Sequence, residues 1–167
     1  MQVSLHARTR TRTRAVAATR AASVAVFVLA LDQLTKHTIG TSISPGQVKT
    51  LVPGVLTLVN VRNTGVAFGV FSGEGALVYV VTLVPLISLS AYLLARPGRR
   101  LLWLPTGMLI GGALGNLIDR AVGGSVIDFI KLPHWPAFNF ADVSITFGVI
   151  ILVLVFEFPG RAGGAGD

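Results

Sequence analysis

The sequence predicts an α-helical integral membrane protein: four transmembrane helices with a small extracytoplasmic β element. Three observations lead there. The chain is 52% hydrophobic and only 13% charged, about half the charged content of a typical soluble domain. Its mean hydropathy is +0.73, and its apolar residues come in long blocks rather than amphipathic stripes. Its arginines sit between those blocks, not within them.

The elements follow in order. Residues 1–20 are rich in Arg, Thr and Ala and contain no acid, which predicts a basic, disordered cytoplasmic tail. From Ala21 the apolar pattern continues through Asp32 and Lys36 to Ile39, the first span. Gly40 to Gly73 carries Pro45, Gly46, Pro53 and Gly54, then the β-branched run Val55–Val61. That composition favours short strands outside the membrane. Gly75 to Ala95 is long enough to cross a hydrocarbon core of about 30 Å, with Pro85 placed to kink it. Arg96-Pro-Gly-Arg-Arg100 makes a cytoplasmic turn, and Leu101 to Ile118 is the third span with Trp103 as its interfacial anchor. Gly123 to Phe138 is a loop, Asn139 to Phe158 the fourth span, and residues 159–167 a Gly-rich cytoplasmic tail. The bundle is thus a single domain over residues 21–158.

The net charge of +7 admits nucleic acid as a partner, but its placement argues otherwise. Arg8, Arg10, Arg12, Arg14 and Arg20 precede the first span, and Arg96, Arg99 and Arg100 lie between the second and third. This asymmetry orients a multi-pass protein with basic loops and both termini in the cytoplasm. The chain has no cysteine, so thiol nucleophiles, thiolate metal sites and disulfides are excluded. No His/Glu cluster has zinc-site spacing.

Function should lie where acids meet lipid, because an ionisable group at that depth is costly. Only seven Asp and Glu occur in the chain. Three of them fall in Gly111-Gly-Ala-Leu-Gly-Asn-Leu-Ile-Asp-Arg120, Val126-Ile-Asp-Phe129 and Phe138-Asn-Phe-Ala-Asp142. Gly107, Gly111 and Gly115 repeat every four residues, a ridge that lets another backbone approach; Asp119 continues it. Gly112, Asn116 and Arg120 form the adjacent ridge. Arg120 has a simpler role open to it as the neutraliser of Asp119. Asn139 and Asp142 have capping-box spacing, so Asp142 reads as a cap when taken alone. Asp128, an acid among apolar side chains, is a solvated loop carboxylate or a partner of Asp142. Two neighbouring carboxylates cannot both ionise easily. One can then take a proton from water while the other polarises a carbonyl. Asp32 and Lys36 are four apart and form an ion pair along one helix face. Asn63 is either a turn former or a hold on a peptide backbone.

Five fragments in this order resemble signal peptidase II, the bacterial lipoprotein signal peptidase family. They are Asp32-Gln-Leu-Thr-Lys36, Asn63-Thr-Gly-Val-Ala-Phe68 and the three acidic motifs above. The resemblance implies an aspartyl endopeptidase of the bacterial cytoplasmic membrane, with no metal or organic cofactor and its active site facing outward. Its substrates would be diacylglyceryl-modified prolipoproteins, cut just before the lipidated cysteine, with membrane lipid as the surroundings and nucleic acid absent as a partner. It implies that Asp128 and Asp142 are the catalytic pair. Asn63, Asn116, Arg120 and Asn139 would line the substrate site, and Asp32, Lys36, Gly112 and Asp119 would support it. It also implies inhibition by the cyclic peptide globomycin. Two other classes compete: a proton-coupled transporter using Asp119, Arg120, Asp128 and Asp142 as a relay, and a membrane assembly factor docking through its glycine ridge.

Overall fold

The structure, a computed structural model, describes residues 2–64 and 75–158. Gly65–Phe68 of the Asn63 motif and the Gly-rich tail 159–167 therefore lie outside the described residues.

The first helix, α1, runs Gln2–Ser42 without a break. It therefore includes the basic stretch expected to be disordered. No Pro or Gly occurs before Gly40, and Ala and Arg are among the strongest helix formers, so nothing local stops the helix from growing backwards through the arginines. Ala17, Ala21, Ala25, Val28 and Asp32 are all buried. Their spacing of three or four residues puts them on one face, and that face meets the third helix.

The third helix, reached through α2 (Gly75–Ala95), is α3, Trp103–Gly123. It begins later and ends later than the apolar run suggested. Its glycines are what place it at the centre. A Cβ on Gly107 would sit 2.5 Å from the Ala21 carbonyl, and one on Gly111 2.6 Å from that of Ala25. One on Gly115 would strike the Asp32 carboxylate. The adjacent ridge serves a different neighbour: a Cβ on Gly112 would lie 2.7 Å from the Ala141 carbonyl of α4, Phe140–Glu157. Thus α3 is bare on two sides, with α1 against one and α4 against the other.

Away from the acidic residues, Ala17, Ala21, Leu93 and Leu102 form a buried cluster, with Tyr92, Trp103, Leu152 and Val155 packed around it. This pairs the C-terminal parts of α2 and α4 with the start of α3, so α1 and α3 run one way and α2 and α4 the other. Arg99 closes this end. Its guanidinium donates to the Tyr92 hydroxyl at 2.8 Å and the Val155 carbonyl at 3.3 Å, and lies 4.3 Å from the Phe156 ring centroid. A cation there also complements the negative end of α4.

At the opposite end sits a three-stranded antiparallel sheet of order β1-β2-β3. The strands are β1 (Val48–Val52), β2 (Leu56–Asn63) and β3 (Val126–Lys131). Pro53 and Gly54, the latter at φ +72°, turn the chain between β1 and β2, the pairing of residues that such a turn demands. The short strands expected before Asn63 are therefore present. The stretch read as a plain loop, Gly123–Phe138, contains β3. Val126, Ile127, Phe129 and Ile130 carry the β-forming character, but the strand exists because β2 offers it a ladder.

Among the described residues, two helices are long and apolar enough to cross a membrane: α1 over Thr11–Ser42 and α4 over Phe140–Glu157. The apolar described part of α2, Val80–Ala95, is shorter. In α3 the polar residues and glycines dilute the apolar run, in keeping with its enclosed position. Val26, Phe27, Val81, Val84, Ile87, Phe147, Ile150 and Val153 are all exposed, and extended apolar surfaces of this kind mark contact with lipid or another protein.

The glycine ridge yields a direct prediction. Gly111→Leu should push α1 off α3 and lower stability by about 1–3 kcal/mol or more, the usual cost of overpacking. Gly123→Ala, where an added Cβ meets nothing within 4 Å, should be neutral. Thermal unfolding of the two purified variants in detergent checks the contrast.

Candidate active site

Lys36 is the point where the helices are tied together. It is 2% exposed, and its Nζ has Asp32 Oδ2 at 2.8 Å, Asp119 Oδ2 at 2.7 Å and Asn116 Oδ1 at 2.8 Å. An ammonium carries three protons, and three oxygens surround this one. The cation that neutralises Asp119 is therefore Lys36, not the neighbouring Arg120. Helical spacing explains the Asp32–Lys36 pair, as expected from the sequence; only the packing of α1 on α3 explains the other two contacts.

Each anchored group passes order on to α4. Asp32 is fully buried, and its other oxygen accepts from the Ala141 backbone N–H at 2.9 Å. An anion at the first turn of a helix meets unpaired N–H groups and the positive end of its dipole. Asn116 uses its amide in both senses: Oδ1 accepts from Lys36, and Nδ2 donates to Asp142 Oδ1 at 2.8 Å. Arg120 Nη1 donates to the Asn116 carbonyl at 3.2 Å.

Asn139 and Asp142 form the capping box that their spacing predicts. The Asp142 N–H donates to Asn139 Oδ1 at 3.0 Å, and the Asn139 N–H donates to Asp142 Oδ2 at 3.2 Å. The cap does more than end a helix. Asn139 is fully buried, and its Nδ2 donates to Asp128 Oδ1 at 2.7 Å and to Asn116 Oδ1 at 3.2 Å. The second Asp128 oxygen accepts from Asn63 Nδ2 at 2.9 Å. One asparagine thus touches both acids, and Asp142 is a cap and a member of the pair at once.

Asp128, on β3, is 3% exposed. Burial pushes its carboxyl above the ordinary Asp range; the hydrogen bond from Asn63 opposes this, the negative charge of Asp142 adds to it, and Asn139 and Lys36 oppose it. Removal from water outweighs the donors because a carboxylate loses more solvation than two amides restore. The arrangement can hold a proton on one carboxyl beside a second that is half-buried and open to water.

All the acids named from the sequence, together with Asn63, Asn116 and Asn139, fall into this one network, and Arg120 borders it. Gly112 contributes by letting Ala141 close. Sequence reasoning missed Gln33, whose Nε2 donates to Asp119 Oδ1 at 2.9 Å and to the Gly115 carbonyl at 3.3 Å; an amide in an apolar helix was the available signal. It also missed Asn60, which is buried on β2.

Comparison with known proteins places the chain in a family. The sequence model of the family described as "Signal peptidase (SPase) II" matches residues 24–158. The chain belongs to the signal peptidase II family. It is similar to the lipoprotein signal peptidase of Moorella thermoacetica, 45% identical over 84% of this chain and 95% of that one. The lipoprotein signal peptidase of Shouchella clausii is 40% identical over 83% and 93%. A solved bacterial membrane enzyme superposes with a TM-score of 0.75 at 32% identity, covering 88% of this chain and 93% of that one. A second has a TM-score of 0.72 at 35% identity, covering 81% and 91%. The protein is accordingly a protease of this family, and the expected fold of helices with a small sheet is shared with a membrane enzyme.

Removing the hub should be costly. Lys36→Met strands two carboxylates, one of them fully buried, and should lower stability by about 3–5 kcal/mol. Lys49→Met on the exposed strand β1 should stay within about 0.5 kcal/mol. Chemical or thermal unfolding in detergent compares the two.

Proposed function

We propose that this protein is a membrane aspartyl endopeptidase that removes signal peptides from diacylglyceryl-modified prolipoproteins, cutting before the lipidated cysteine, with Asp128 and Asp142 as its catalytic pair. The single observation that carries the assignment of the pair is Asn139, which bonds Asp128 through its side chain and Asp142 through its backbone and side chain. Family membership supplies the substrate class.

The division of labour follows from environment. Asp128 is the more enclosed carboxyl and carries the proton to be donated; Asp142 takes a proton from water. The water oxygen attacks the scissile carbonyl carbon while Asp128 donates to the carbonyl oxygen. The proton gained by Asp142 then passes to the departing amide nitrogen as the C–N bond breaks, and one diol hydroxyl returns its proton to Asp128 as the new carboxyl group forms. Asn63, Asn116, Arg120 and Asn139 line the substrate cleft, and Asp32, Lys36, Asp119 and Gly112 hold its frame.

In the bilayer, α1 to α4 each cross the bacterial cytoplasmic membrane, with both termini in the cytoplasm and the sheet outside. The alternating helix directions and the basic residues at the end away from the sheet support this topology. So does the length of α2, whose 21 residues span about 31 Å. The substrate's acyl chains stay in lipid while its peptide reaches the pair, and globomycin competes for the same cleft.

The test is cleavage of a purified diacylglyceryl-modified prolipoprotein in detergent or liposomes. Wild type should cut the lipidated substrate and not the unlipidated one, and globomycin should block it. Asp128→Asn and Asp142→Asn should each lose about 10²- to 10⁴-fold or more in rate while remaining folded; near-normal turnover by either overturns the pair. The pH profile has a definite sign. Because the pKa of Asp128 is raised, its proton persists above the normal carboxylate range. As pH climbs through that raised value, Asp128 loses the proton it must donate and turnover should fall.

A further inference from the structure

The sheet contains an irregularity beside Asp128 that determines which residue of β2 stands next to it. Leu58 pairs with Ile130, yet the next pair is Val61 with Asp128. Val59 and Asn60 together oppose the single residue Phe129, which is a β-bulge. Both are buried, whereas Val61 and Arg62 are exposed. Beyond the bulge Arg62 pairs with Ile127 and Asn63 with Val126. Asn63 therefore shares a face with Asp128 and lies diagonally across from it, and Arg62 points to the other face.

Were β2 regular, every residue past Leu58 would move by one. Asn60 would oppose Asp128, and Arg62 would take the place of Asn63 against Val126. A one-residue slip exchanges the two faces of a strand. The bulge thus decides whether the buried acid has a neutral amide or a guanidinium for its neighbour.

Asn60 pins it. Its Nδ2 donates to the Ile43 carbonyl at 2.7 Å, fastening the bulged strand to the chain leaving α1. Its Oδ1 is buried with no hydrogen-bond partner among the described residues. A buried strand position filled by Val would carry no such unpaired oxygen, so the amide is there for its donor.

We propose that Asn60 is a positioning residue: by holding the Val59–Asn60 bulge against Ile43, it selects Asn63 over Arg62 as the cross-strand neighbour of Asp128. The electrostatic consequence rests on the catalytic role given to Asp128 above; the structural claim does not. The other charged groups acting on Asp128 are Asp142 of α4 and Lys36 of α1. Lys36 is engaged by Asp32 and Asp119, and Arg120 of α3 donates to the Asn116 carbonyl. Arg62 would be a new cation at Asp128.

Because the chain has no cysteine, introduced pairs report register directly. In the full-length protein Arg62→Cys with Ile127→Cys should cross-link, and Arg62→Cys with Val126→Cys should not. Adding Asn60→Leu, or Asn60→Asp if the first fails to fold, should transfer cross-linking to the second pair. An unchanged pattern overturns the pin. In the chain without cysteines, Asn60→Leu should move the alkaline limb of kcat down by about 1–3 pH units, the effect of an adjacent cation on an Asp. Arg62→Gln in that background should restore it. A limb that stays in place, with activity falling only as folded protein is lost, leaves Asn60 merely structural and overturns the electrostatic claim. Failure of the catalytic reading itself shows elsewhere, as full activity in Asp128→Asn.

Discussion

A buried ammonium needs its charge answered and its protons accepted, and in this protein that need organises one end of the bundle. Lys36 draws Asp32 from its own helix and Asp119 and Asn116 from α3. Desolvating a charge costs far more than one contact returns, so such a site is stable only when its partners arrive together. Their arrival fixes the rotation and height of α1 against α3. Asp32 then reaches Ala141 and Asn116 reaches Asp142, so the same constraint sets the start of α4.

That start is where stability and the proposed chemistry coincide. A capping box is a common way to satisfy the first N–H groups of a helix. Here the capping asparagine is buried, and its remaining amide hydrogens are directed at Asp128 and Asn116. Asp142 is held by the cap from one side and by Asn116 from the other, while Asp128 is held by Asn63 and Asn139. Both carboxyls are fixed by neutral donors, which orient a carboxyl without committing it to the ionised form as a guanidinium would. Such fixation through supporting contacts is what keeps reacting groups within the narrow geometry that catalysis requires.

The glycines of α3 make this closeness possible. In lipid there is no hydrophobic force between apolar helices, and close backbone approach with interhelical hydrogen bonds takes its place. Gly107 and Gly111 admit α1, Gly115 leaves room for the Asp32 carboxylate, and Gly112 admits Ala141. The outward faces of α1, α2 and α4 remain apolar and exposed, as the proposed topology requires of surfaces that meet acyl chains.

The sequence by itself determined the features that depend on local spacing. Those are the helical character of four segments, the Pro53-Gly54 turn, the Asp32–Lys36 pair, the bare ridges of α3 and the capping box of Asn139 and Asp142. Each follows from residues within four positions of one another. Only the tertiary structure decided that Lys36, not Arg120, neutralises Asp119, and that Val126–Lys131 is a strand. It likewise decided that Asn63 reaches Asp128 from 65 residues away and Asn116 reaches Lys36 from 80. The bulge at Val59–Asn60 belongs to the same class, because register is a relation between two strands and no single strand contains it. Spacing along a chain predicts which side chains share a face; which faces meet is set by packing, and the pairing of the acids depends on that.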